Sequence, residues 1–197
     1  MSLSEIFRKR KDEMMRRFGS LGMGGISASI LVVGAFLVGC SKEDSSAESP
    51  IGHEGKHLQT RSPSVGSGPE GSALMAYRAM WRDLAAASLT SNAASPSLDD
   101  HARGSALELM KFGLKKAKKE KLVSKGAPLV DPEVVSAIGS EVKLRDCVDD
   151  RHWLQYKLDG ELKNNVPGGH FRTDATVSRV GGVWKVSYLY MHEVGSC

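Results

Sequence analysis

The chain has 197 residues, 41% hydrophobic and 25% charged, with a formal net charge of +4 at neutral pH. These are ordinary globular proportions, and they exclude collagen-like and wholly disordered chains. The basicity does not point to nucleic acid either. Residues 1–39 carry six basic groups (Arg8, Lys9, Arg10, Lys11, Arg16, Arg17) against three acids (Glu5, Asp12, Glu13), which leaves about +1 for the remainder. That excess is too small to hold a phosphate backbone, so no nucleic-acid partner is expected.

The basic stretch is followed by an uncharged one from Phe18 to Ser41, apolar at its centre (ISASILVVGAFLVG, 26–39). A positive flank before an apolar run is the pattern of a secretory signal. The run ends Leu37-Val38-Gly39-Cys40, which resembles the lipobox of bacterial lipoproteins. The resemblance implies diacylglyceryl transfer to the Cys40 sulfur and cleavage after Gly39. The expected address is the extracytoplasmic face of the cell membrane, with membrane lipid as the first partner. Two acyl chains anchor stably where one does not. An uncleaved transmembrane helix is the alternative, since the uncharged stretch is long enough to span a bilayer.

Residues 40–71 form the next unit. Ser41–Gly71 holds seven Ser, three Pro and five Gly with few large apolar residues, and is expected to be a flexible tether. His53 and His57 stand four apart within it, but the neighbouring Gly52 and Gly55 argue against the helix that a metal site would need, and no metal is expected.

Residues 72–197 are the expected globular domain. Leu74, Tyr77, Trp81 and Leu84 recur at helical spacing and predict a helix over 73–89. A second helix is expected from Ser97 as N-cap, with Leu107, Met110 and Leu114 as its apolar face and a lysine-rich end. That end (Lys111, Lys115, Lys116, Lys118, Lys119, Lys121) suits a helix C-terminus, and either a solvated face or a contact with anionic lipid would explain it. After Gly126 the period changes to two. Strands are predicted at 134–138, 142–147, 153–158, 170–180 and 183–194, the last two joined by a Gly181-Gly182 hairpin turn. Alternation in the last strand places Trp184, Val186, Tyr188, Tyr190 and His192 on one face.

Helices first and strands after predict an α+β fold, with N-terminal helices packed on a curved antiparallel sheet. This order resembles the cystatin-like fold of the nuclear transport factor 2 superfamily. The segments YRAMWRDLAAA, DCVDDRHWLQY and GGVWKVSYLYMHEVGSC resemble small secreted lipoproteins of high-GC Gram-positive bacteria. In that group a tryptophan sits in the first helix and a cysteine closes the chain. The fold implies a cone between helix and sheet. Tyr77, Trp81, Tyr188 and Tyr190 are the candidates to line it, with Asp83 or His192 as the polar group, unless the aromatics simply fill the core.

Cys40, Cys147 and Cys197 are the three cysteines. With Cys40 lipidated, the other two read as a disulfide in an exported domain. Asp146, Asp149, Asp150 and His152 cluster at one strand junction, where a polar turn is the simpler reading. No nucleotide, metalloprotease or nucleophile-elbow motif is present, and no cofactor or catalytic residue is expected. The expected function is a noncatalytic binding module on a membrane-anchored lipoprotein, with a protein or small-molecule ligand. The alternatives are an enzyme of cyclase or isomerase type using the cone, and a membrane-tethered assembly subunit of a secretion system.

Overall fold

The computed structural model describes residues 68–197. The signal segment, the Leu37-Val38-Gly39 lipobox, Cys40, His53 and His57 lie outside the described residues.

Helix α1 spans Pro69–Ser88, with Gly68 as N-cap and Glu70 in the first turn. It therefore begins three residues before the expected boundary at 72. Proline is favoured at a helix start because its missing N–H would be unpaired there in any case. Glu70 suits the positive end of the dipole. The predicted stripe is the buried one: Tyr77, Trp81 and Leu84 lie in the core and Leu74 packs against it.

The expected second helix is two helices, α2 Leu98–His101 and α3 Gly104–Lys119. Between them Ala102 is extended and bridges Val186, and the Arg103 N–H donates to the Val186 carbonyl at 2.9 Å. Helical geometry is given up there because the backbone covers the edge of a strand, whose polar groups would otherwise stay unpaired. Met110 and Leu114 of α3 are buried as expected.

Six strands follow: β1 Leu122–Lys125, β2 Glu133–Ile138, β3 Glu141–Asp149, β4 Leu154–Lys157, β5 His170–Val180 and β6 Val183–Val194. The main sheet is antiparallel in the order β2-β3-β5-β6, and β1 pairs with β4 in a separate two-stranded ribbon. Helices first, then an antiparallel sheet with the helices on one face, is the arrangement the cystatin-like resemblance implies. The core lies between α1 and α3 on one side and Val142, Leu144, Val148, Phe171, Ala175, Val177, Val186 and Leu189 on the other.

One register detail changes the expected faces of β6. Thr176 pairs with Tyr188 while Val177 pairs with Val186, so Ser187 is an extra residue opposite none. Such a bulge shifts the alternation by one. Val186 and Leu189 both point inward, and Tyr188, beyond the bulge, is 48% exposed. The five residues expected on one face are thus divided between two.

Candidate functional site: a groove beside the disulfide

Alternate residues of a strand face opposite sides of its sheet. On β3, Leu144, Asp146 and Val148 are buried toward the helices, while Arg145 and Cys147 are exposed on the other side. On β5, Phe171, Thr173 and Ala175 are buried, and Arg172 and Asp174 take the outer face. Cys147 and Cys197 are joined in a disulfide with Cα atoms 6.0 Å apart. The bridge ties the end of the chain to β3. Beside it opens a groove of about 460 Å³ lined by Asp131, Pro132, Glu133, Arg145, Asp146, Cys147, Arg172, Ser196 and Cys197.

The expected pocket residues fall into three places. Tyr77 and Trp81 are in the core, with Trp81 2% exposed. Trp81 meets both Tyr77 and Trp153 edge-to-face, each at 6.2 Å between centroids, so aromatic rings surround it where an open cone was expected. Asp83 faces α2 instead, where its Oδ2 lies 2.7 Å from His101 Nδ1. Tyr188, Tyr190 and His192 are carried to the outer face by the bulge. Tyr188 stands opposite Thr176 and Tyr190 opposite Asp174. The structure therefore brings Tyr77 together with Trp81, and Tyr190 together with His192, but keeps the two pairs on opposite sides of the sheet.

The outer-face group continues from the groove. His192 Nε2 lies 2.5 Å from Asp174 Oδ2, and the edge of Tyr190 packs on the His192 ring. Arg145 Nε donates to Asp174 Oδ1 at 3.3 Å. Arg172 Nη2 lies within 3.2 Å of both ring nitrogens of His192. Burial opposes ionisation of Asp174, but hydrogen bonds from His192 and Arg145, with the charges of His192 and Arg172, outweigh it and hold the carboxyl below its ordinary range. Such a pair fixes the orientation of the imidazole. Arg145, Arg172 and Asp174 were not singled out from the sequence. The available signal was the run of polar residues at every second position from Arg172 to Ser178, which marks one face of β5.

Behind the groove, Asp146 is 3% exposed. Its Oδ1 accepts the Asp131 N–H at 3.0 Å, and its Oδ2 is buried without a hydrogen-bond partner. Burial raises its pKa, against the lowering effect of the Asp131 N–H and of Tyr77. Burial, then the nearby Asp146 charge, pushes the Tyr77 hydroxyl far above its usual value. That hydroxyl shares a 2.7 Å hydrogen bond with Thr173 Oγ1. Arg172 Nε is likewise buried without a hydrogen-bond partner. Two residues lining the groove thus each bury an atom with no hydrogen-bond partner among the described residues, although Arg172 Nε lies 3.7 Å from Asp174 Oδ2.

The other acids of the expected cluster serve the turn. Asp149 binds Arg151 through two hydrogen bonds at 2.9 and 2.7 Å, which hold its carboxyl well below the usual range. Asp150 Oδ1 accepts the Gly169 N–H at 2.6 Å. His152 is exposed. Among the described residues, no three His, Cys, Asp or Glu side chains gather as metal ligands would.

No protein-family model matches the chain, and no curated protein matches it. Three solved structures with a similar chain path illustrate the likeness. The intermembrane-space region of the chloroplast protein ARC6 is 16% identical, with a TM-score of 0.43, covering 62% of this chain and 95% of that one. A putative scytalone dehydratase from Novosphingobium aromaticivorans is 14% identical, with a TM-score of 0.37, covering 61% and 84%. A protein of unknown function with a cystatin-like fold from Nostoc punctiforme is 8% identical, with a TM-score of 0.35, covering 61% and 86%. These are likenesses of chain path, and they say nothing of activity.

Proposed function

We propose that the chain is an exported lipoprotein, held at the outer face of the cell membrane by a lipid on Cys40, whose folded domain binds a small polar ligand. The observation that carries this reading is the Cys147–Cys197 disulfide beside the groove. Disulfides persist in oxidising compartments, which supports export. The bridge also occupies both other cysteines and leaves Cys40 for the lipid. The groove volume falls in the range of small-molecule sites. Its lining mixes Arg145 and Arg172 with Asp131, Glu133 and Asp146, which suits a ligand carrying both donors and acceptors.

The anchor is tested by Cys40→Ala and membrane fractionation. Wild-type chain should sediment with membranes at the mature size, and the variant should accumulate as unprocessed precursor. A variant that matures to the same size and stays in the membrane would sink the lipid. The groove is tested by native mass spectrometry of chain purified from its own membrane. A small adduct on the wild type that is absent from Arg172→Ala supports it, and identical spectra remove it.

Asp146 favours a second reading, an acid–base enzyme of small molecules. A buried carboxyl with a raised pKa is a common catalytic device. Its neighbours here are Tyr77 and Thr173 rather than a histidine. The three Asp–His pairs among the described residues, Asp83–His101, Asp149–His170 and Asp174–His192, do not include it.

A further inference from the structure

We propose that the C-terminal end of α3 and the adjoining β1–β4 ribbon form a docking surface for a bilayer rich in anionic phospholipid. This rests on the membrane-anchored reading above. Lys115, Lys118, Lys119 and Lys121 are exposed in a run of seven residues, and none has an acidic partner among the described residues. The nearby Glu120 is already held, 3.9 Å from Lys116 and 3.7 Å from Lys163. Glu161 is held by Lys157 at 2.8 Å, which leaves Asp159 as the acid of that turn with no ion pair among the described residues.

The lysines are not alone. Leu122 pairs with Lys157, so the register sets Lys121 beside Leu158. Leu158 is 70% exposed, and Leu162, bridged to Tyr156 across the ribbon, is 41% exposed. Lys125 on the same ribbon is exposed and lies over the Tyr156 ring at 4.6 Å. Apolar side chains ringed by lysines fit the boundary between phospholipid headgroups and acyl chains. A nucleic acid would use the charges but has no place for the two leucines, so the bilayer is the better partner. The anchor permits the approach. The 27 residues between Cys40 and Gly68 can span up to about 90 Å. The patch lies near the far end of α1, where Ser91 bonds the Leu122 carbonyl. That end is about 30 Å from Gly68 by helix rise.

The test uses full-length chain, purified in detergent and mixed with vesicles of phosphatidylcholine alone or blended with phosphatidylglycerol. Flotation reports the anchor, and amine acetylation read by mass spectrometry reports the patch. Lys143, on the outer face of the sheet, is the reference. The chain should float with both vesicles, with Lys115, Lys118 and Lys119 labelled about threefold or more slowly on the anionic ones, an effect that high salt removes. Lys115→Glu, Lys118→Glu and Lys119→Glu together should abolish the protection of Lys121 while the thermal midpoint stays near wild type, and Leu158→Ser should weaken it. Flotation with both vesicles and equal labelling overturns the patch and leaves the anchor standing. Flotation with anionic vesicles alone supports the patch and overturns the anchor. Flotation with neither overturns both, and salt-sensitive capture of duplex DNA without lysine protection on vesicles overturns the patch in favour of a nucleic-acid surface.

Discussion

Asp146 rests its Oδ1 on the Asp131 N–H and leaves Oδ2 buried without a hydrogen-bond partner. Its pKa is raised by burial, so the native state keeps the proton to a higher pH than the unfolded chain does. Stability therefore falls as pH rises from the ordinary carboxyl value, about 4, through the native one. Asp146→Asn cannot ionise and retains an oxygen for the Asp131 N–H. It should be more stable than wild type at pH 7 and converge with it below about pH 4. Urea unfolding at the two pH values measures this, and a variant weaker than wild type at pH 7 would mean the carboxylate has a compensating partner. At this scale the sequence was readable only in part. The stripe containing Tyr77 and Trp81 was visible because helical spacing reports burial directly. Asp83 and His192 were sensible polar candidates, yet their partners His101 and Asp174 are 18 residues away in sequence in each case. Nothing local encodes such pairings.

Among the elements, α1, β5 and β6 were legible because each is long and its period repeats several times. Three features were not. The extra residue Ser187 changes the face of the residues from Tyr188 to His192, and a one-residue slip leaves the composition of a strand unchanged. The break at Ala102 and Arg103 combines pairing with Val186 and the left-handed Gly104, φ +53°, which a helical periodicity does not announce. Strand β1 has only four residues and takes its identity from β4. The turn that leaves β1 gives a prediction at this scale. Gly126 has φ +86°, and an added Cβ would lie 2.0 Å from the His152 carbonyl oxygen. Left-handed backbone and a backbone clash combine, so Gly126→Ala should cost more than about 1 kcal/mol. Chemical denaturation provides the check. A change within about 0.5 kcal/mol of wild type would show that the ribbon can shift away from its neighbours.

For the whole molecule, the layer order was legible and its division was not. Helices first and strands after led directly to one helical layer on one sheet. Five predicted strands did not reveal that β4 leaves the main sheet for the ribbon, since alternation does not name a partner. The cysteine pairing was legible, because setting Cys40 aside as the lipidation candidate leaves Cys147 and Cys197 to pair with each other. The Cys147–Cys197 bridge closes a loop of sequence separation 50. In the chain-entropy model such a closure stabilises by about 4 kcal/mol. Cys147→Ser with Cys197→Ser should therefore lower the unfolding free energy by about that amount, measured in denaturant without reductant. An unchanged midpoint would mean that the thiols are free in the native protein.

The same bridge divides the chain mechanically. A load entering at Gly68 and resisted at Cys197 passes from β3 across the sulfur–sulfur bond, and the ring that holds β4, β5 and β6 stays slack. Stretching between those points can release only the chain from Gly68 to Cys147, at most about 280 Å of contour. A domain pulled between those points would lose its helices, β1 and the β2–β3 half of the sheet while β5 and β6 remained a closed, refoldable hairpin.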